Sequence, residues 1–154
     1  MDVATDTKSI EREILIAATP ETIWELLVDP QQVTRWMGQH ATFDLRRGGS
    51  YKIEVIPGHV ASGKFVEIDA PRRLVYTWGW EEGDAPVPSG STTIVFELLP
   101  RNDGTLLRFT HRDLPSAEAA ASHTHGWTHY FERLEQVAAG KDPGPDPWIN
   151  GPME

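Results

Sequence analysis

Leu74-Val75-Tyr76-Thr77-Trp78-Gly79-Trp80 is the stretch from which this chain is read. At a period of two, Leu74, Tyr76, Trp78 and Trp80 share one face of a strand, and Val75, Thr77 and Gly79 share the other. Three large aromatic side chains on one face need a wide apolar space. Two of them carry an indole N–H and Tyr76 carries a hydroxyl, so that space also needs polar partners. An aromatic-lined pocket meets those needs. A thick core meets them too, provided that it satisfies the polar atoms.

Working outward, the same alternation recurs on both sides. Residues from about Ser9 to Ala17 read as a strand, with Ile10, Arg12, Ile14 and Ile16 set against Glu11 and Glu13. Thr19-Pro20-Glu21 then opens a helix: a hydroxyl N-cap, proline at the first helical position and an acid at the positive end. Ile23, Trp24, Leu26 and Leu27 form its apolar stripe, and Asp29-Pro30 ends it. A second short helix is expected from Pro30 to Trp36, closing at Gly38. Strands follow at Ala41–Arg46, at Tyr51, Ile53 and Val55, over residues 60–68, at the aromatic stretch, at Ile94, Phe96 and Leu98, and at Leu107, Phe109 and His111. The turns between them are Gly48-Gly49, Pro57-Gly58, Asp69-Ala70-Pro71, the acidic loop Glu81–Gly90 and Asn102-Asp103-Gly104. A long helix over about Ser116–Ala139 carries Trp127, Phe131, Leu134 and Ala138 on one face. Strands grouped in sequence predict an α+β domain: an antiparallel sheet of about six or seven strands with the helices on one face. The expected division is a flexible start (1–8), one domain (9–140) and an extended tail (141–154), which holds four of the twelve prolines.

At 154 residues, one domain buries most of its apolar surface without staples. The lack of cysteine rules out a disulfide framework, a thiol nucleophile and thiolate metal ligands, and fits the expected cytoplasmic setting. Met1–Asp6 is polar and acidic, unlike a signal peptide. No apolar run approaches the roughly 18 residues of a membrane span, so no membrane insertion is expected. A net charge of −9 argues against nucleic acid as a partner, and Arg46-Arg47, beside Asp44, is too short a basic cluster to reverse it.

Several motifs occur in a telling order. Arg12-Glu13-Ile14 runs into Ile16-Ala17-Ala18-Thr19-Pro20-Glu21 and Ile23-Trp24; Arg35-Trp36-Met37-Gly38 and Arg47-Gly48-Gly49-Ser50-Tyr51 follow. Gly63-Lys64-Phe65 through Glu67-Ile68, Pro71-Arg72-Arg73-Leu74-Val75-Tyr76-Thr77-Trp78 and finally Gly126-Trp127 complete the series. Over about residues 9–139 the chain resembles the START-like (SRPBCC) superfamily, and within it the family related to the activator of the heat-shock-protein-90 ATPase. The resemblance implies a helix-grip fold, a curved antiparallel sheet wrapped around a long C-terminal helix, with a cavity between the two. It implies no shared catalytic set. The eukaryotic activator that names the family has a separate chaperone-binding domain, for which this chain is too short, so a chaperone partner is a subordinate expectation.

On such a fold Tyr51, Ile53, Tyr76, Trp78, Trp80, Phe96, Phe109, His111, Trp127 and Phe131 are the candidates to line the cavity, with His123, one turn before Trp127, at its mouth. Each has a plainer reading. The aliphatic and phenylalanine positions are ordinary core. His111, in phase with Leu107 and Phe109, is either a hydrogen-bonded core histidine or a partner for a ligand's carbonyl or hydroxyl. Glu67 shares the face of Phe65 at a period of two; if that face is inward it is a buried carboxylate needing an arginine, and otherwise an exposed one. His125 and His129 have the i, i+4 spacing of metal ligands, but they lie nearly opposite Trp127 with no acidic third ligand at matching spacing, so no metal is expected. Gly126 either allows close approach to the sheet, widens the pocket or kinks the helix. Trp148 in the tail packs back on the domain or on another subunit.

The leading expectation is a module that holds a small apolar, aromatic or lipid-like molecule between sheet and helix, with no cofactor and with a homodimer left open. One alternative is an enzyme of cyclase, dehydratase or hydrolase type acting in the same cavity, for which His111 and Glu67 are the nominated acid–base pair. The other is a chaperone- or stress-related interaction protein that uses the acidic loop and the tail.

Overall fold

Alternation in the opening residues forms β1 (Lys8–Ile16), whose Ile10, Ile14 and Ile16 face the interior while Glu11, Glu13 and Leu15 face solvent. The computed structural model describes residues 8–83 and 85–149, so residues 1–7 of the expected flexible start and 150–154 of the tail lie outside it. In α1 (Pro20–Val28) the Thr19 hydroxyl accepts from the Thr22 amide at 3.2 Å. Asp29 ends α1 and starts α2 (Pro30–Val33), its carboxylate accepting from the Gln31 amide at 2.9 Å. The second helix is one turn long rather than reaching Trp36. Past Thr34 the chain bends so that Trp36 and Met37 both enter the core, and the Trp36 indole donates to the Leu26 carbonyl at 2.8 Å.

The remaining strands are β2 (His40–Phe43), β3 (Ser50–Ile56), β4 (His59–Asp69), β5 (Arg73–Trp78), β6 (Thr92–Arg101) and β7 (Gly104–Leu114). Every pairing is antiparallel, and the seven strands run in the order β1-β7-β6-β5-β4-β3-β2. The long helix α3 (Ala117–Ala138), capped by the Ser116 hydroxyl on the Ala119 amide at 3.0 Å, lies along the inner face of the sheet, and α1 packs against it. Trp127, Tyr130, Phe131, Leu134 and Val137 form its buried stripe. This is the helix-grip arrangement, α+β with the helices on one face. Among the described residues no helix is long and apolar enough to cross a membrane.

Register decides which residues look inward. Leu74 pairs with Phe96, Tyr76 with Ile94, Ile94 with His111 and Phe96 with Phe109, which puts all of these on the inner face. Strand β4 departs from simple alternation. Phe65 pairs with Tyr76 and Glu67 with Val75, so β4 advances two residues while β5 advances one, the signature of a bulge at Val66. The extra residue reverses the side-chain parity. Glu67 therefore does not share the face of Phe65. It lies on the outer face, where Arg73 donates to it at 3.1 Å and to Glu97 at 2.9 Å.

The aromatic strand also ends sooner than its sequence suggests. Past Trp78, Gly79 lies so close to the 88–89 backbone that a Cβ there would sit 1.7 Å from the Pro88 carbonyl oxygen. Only glycine permits that approach. It draws the 85–91 segment against the strand end, and Trp80 holds its place through a backbone bond to the Val87 carbonyl at 2.8 Å.

The tail, read as extended, folds back as far as residue 149. Asp146 is buried and accepts from His129 Nε2 at 2.8 Å and from the Trp148 amide at 3.0 Å. The Trp148 ring stacks on His129 with centroids 3.7 Å apart and also covers His125. Arg133 completes the clamp by donating to the Gly144 carbonyl at 3.0 Å. The helix face that carries His125 and His129 is thus covered by the chain's own tail. Among the described residues no cluster of three or more His, Asp or Glu is placed to hold a metal.

Candidate functional site

Beneath α3 the inner face divides into two regions. In the first, rings pack on rings. Tyr51 lies 4.9 Å from Tyr76, Phe96 5.2 Å from Phe109, and Phe109 4.8 Å from Phe131. The Tyr51 hydroxyl is satisfied by the Thr77 carbonyl at 2.6 Å. Tyr51, Ile53, Tyr76, Phe96, Phe109 and Phe131 all belong to this packed region and none of them lines the cavity. Their hydrophobic burial is complete without a ligand.

The second region is a cavity of about 410 Å³ at the N-terminal half of α3, large enough for a small organic molecule. Trp78 at the end of β5 and Trp80 two residues past it, with Val55 and Ile56 from β3, make one wall. Ala119, His123, Gly126, Trp127 and Tyr130 from α3 make the other. Met37 closes one side and Ala85, Pro86 and Val87 another; the rim carries His59, Glu82, Ser116, Glu118 and Ser122. A Cβ at Gly126 would meet nothing within 4 Å, so this glycine widens the cavity and makes no close approach to the sheet.

Two histidines order the indoles. Trp127 Nε1 donates to His111 Nδ1 at 3.1 Å, so His111 carries its proton on Nε2 and donates to the Thr92 hydroxyl at 2.8 Å. Thr92 in turn donates to the Trp78 carbonyl at 2.8 Å. Closer to the cavity, Trp80 Nε1 donates to His123 Nε2 at 3.1 Å, and His123 Nδ1 donates to the Ala119 carbonyl at 2.9 Å. Both imidazoles are neutral with both nitrogens engaged. Burial, and then the neighbouring His123 ring 5.1 Å away, drive the His111 pKa down to about 3. Burial also lowers that of His123.

The indole nitrogen of Trp78 is unsatisfied: it is buried and has no hydrogen-bond partner. A buried donor without an acceptor costs about 1–3 kcal/mol. The Tyr130 hydroxyl and Asp146 Oδ2 are also buried without a partner. They belong to the tail clamp behind the cavity, where burial and then the charge of Asp146 raise the Tyr130 phenol above its usual range. On the rim, His59 Nδ1 and Glu82 Oε1 are 2.8 Å apart.

Of the residues expected to line the site, Trp78, Trp80, His123 and Trp127 do so. His111 is a fully buried residue one layer behind, satisfied by Trp127 and Thr92. It is separated from Glu67 by the sheet itself, because Glu67 is on the outer face; the two make no acid–base pair. Val87, His59 and Glu82 were not foreseen. A valine bracketed by Pro86 and Pro88 in an otherwise polar loop was the available signal for the first. Nothing local marks His59 and Glu82, which come together from separate turns.

A family model described as Activator of Hsp90 ATPase homolog 1-like protein matches residues 17–139. Among solved structures, the chain is similar to an AHSA1-like protein from Rhizobium etli determined by NMR, at 41% identity and a TM-score of 0.77, covering 100% of this chain and 96% of that one. It is also similar to a protein from Mesorhizobium loti, at 25% identity and a TM-score of 0.76, covering 88% and 99%. The NMR structure of CalU16 from Micromonospora echinospora has 26% identity and a TM-score of 0.73, covering 96% and 75%. No curated protein matches the chain.

Proposed function

We propose, from the premise that this chain belongs to the Activator of Hsp90 ATPase homolog 1-like protein family, that it binds a small, largely apolar molecule in the cavity between the sheet and α3. The observation that carries this reading is the contrast within the interior. A chain able to pack Phe96, Phe109 and Phe131 ring on ring leaves about 410 Å³ open beside Trp78, Trp80 and Trp127, with glycine at the helix position that would fill it. Apolar walls with a few fixed polar groups are the composition of a ligand site. The two histidines hold the indoles rather than offering a free base, which favours binding over proton transfer. The reading keeps the cytoplasm as its compartment.

The test uses the uncharged fluorophore N-phenyl-1-naphthylamine, whose emission rises and shifts to the blue in an apolar site. Saturable binding with quenching of tryptophan emission is expected, and Gly126→Leu, which puts a side chain into the open space, abolishes it while thermal unfolding stays cooperative. No saturable binding to the native protein, or unchanged binding in the variant, overturns the proposal.

A further inference from the structure

Resting on that binding reading, we infer that the molecule taken up is an amphiphilic organic cation, with its apolar body in the cavity and an ammonium head at the rim. The lining is graded from inside to outside. Val55, Trp78, Val87 and Trp127 are each at most 3% exposed, whereas His59, Ser116, Glu118 and Ser122 are exposed and Glu82 is half-buried. An apolar body is thus desolvated inside, while a charged head stays at the mouth and keeps much of its water. Charge on the guest therefore escapes the cost of full burial, and its sign is selected at the rim.

Glu82, two residues past Trp80, and Glu118, in the first turn of α3, bring one carboxylate from each wall. No lysine or arginine is among the described lining residues. Lys52, outside the lining, is paired with Glu81 at 3.5 Å. Of the lining histidines, His59 is hydrogen-bonded to Glu82 at 2.8 Å, and His123 is turned to Trp80 and the Ala119 carbonyl, with burial favouring its neutral form. The start of α3 also reaches the rim, but its partial charge of about +0.5 offsets only part of Glu118. The rim stays negative, in keeping with a net charge of −9 for the chain. An ammonium head gains from both carboxylates, a hydroxyl head gains no charge interaction, and a carboxylate head is repelled. Because both glutamates are partly solvated, the gain is modest and salt screens it.

Three guests that share an octyl chain test this by displacement of N-phenyl-1-naphthylamine: octyltrimethylammonium, 1-octanol and nonanoate. The assay is run at about pH 8.5, above the ordinary histidine range. At about 0.01 M ionic strength the ammonium is expected to displace the probe about fivefold better than octanol, and nonanoate worst. Raising the salt to about 1 M, where the Debye length falls to about 3 Å, should erase most of that preference. The double variant Glu82→Gln, Glu118→Gln should bring the ammonium-to-octanol ratio to within about twofold of one. Glu25→Gln, Glu132→Gln removes the same charge from exposed positions outside the lining and should keep the native ratio. Octanol or nonanoate displacing the probe as well as the ammonium, a preference that salt or the rim variant leaves intact, or an equal loss in the control variant overturns the inference. Failure of the probe itself to bind strikes the binding reading, and this inference with it.

Discussion

The two ends of the space beneath α3 are built from the same kind of residue and come out differently. At one end Phe96, Phe109 and Phe131 touch, with centroids 4.8–6.3 Å apart and every ring buried. At the other, Trp78, Trp80 and Trp127 are also neighbours, at 5.1 and 5.5 Å, yet one side of the group faces open space. The phenylalanines have no polar atom and close on one another. The tryptophans must each place an N–H, and two of them do so by borrowing a histidine. An aromatic stripe is thus core where its rings satisfy each other and wall where polar atoms and a missing Cβ hold the packing apart.

The largest effect that sharpens this contrast is truncation on the packed side. Phe109→Ala should lower the unfolding free energy by about 3–5 kcal/mol, because no neighbour is free to collapse into the gap. Urea unfolding reads it directly. A loss below about 1 kcal/mol would mean that the packed end is no tighter than the open one.

Next in size is the acid sensitivity of the link between the two ends. His111 has a folded pKa of about 3 against about 6.5 unfolded. Above pH 6.5 both states are neutral and its contribution is fully present. As pH falls through the window from about 6.5 to 3 the unfolded state takes up the proton and stability is lost, at up to about 1.4 kcal/mol per pH unit. Native protein should lose roughly 1.7 kcal/mol more than His111→Gln between pH 6.5 and 5. Parallel pH profiles of the two proteins would remove His111 as the cause.

A smaller effect isolates the cavity wall. Trp80→Phe deletes the donor to His123 Nε2 and keeps most of the apolar surface, so stability should drop by about 1 kcal/mol. The freed imidazole should then titrate closer to neutrality, which histidine NMR shifts followed against pH would register. An unmoved His123 resonance contradicts the assigned hydrogen bond.

The smallest effect has the opposite sign. Gly126→Ala places a methyl group in open space and removes a helix-interior glycine, so it should stabilise by up to about 1 kcal/mol and reduce probe affinity only slightly. Destabilisation instead would show that Gly126 is needed by the backbone rather than by the cavity.

Much of the fold was legible beforehand. Alternation at Ile10, Ile14 and Ile16, at Leu74, Tyr76 and Trp78, and at Leu107, Phe109 and His111 assigned inner faces that the register confirms. The site was legible only in part. Trp78, Trp80, His123 and Trp127 stand where expected, whereas Tyr51, Ile53, Tyr76, Phe96, Phe109 and Phe131 share their inward direction without reaching the void. Direction is a local property of a strand, and distance from a void is not.

The sequence by itself determined which elements form and which way their side chains point, because strand and helix periods are properties of the local backbone and need no knowledge of neighbours. Tertiary structure alone decided the rest. The bulge at Val66 that turns Glu67 outward exists only in the pairing of β4 with β5. The return of Trp148 onto His129 joins residues 19 positions apart. The cavity is what remains where Gly126 withholds a side chain and the 85–87 segment closes around the tryptophans. Each of these depends on contacts between segments distant in the chain, and such contacts leave no periodic trace in either partner.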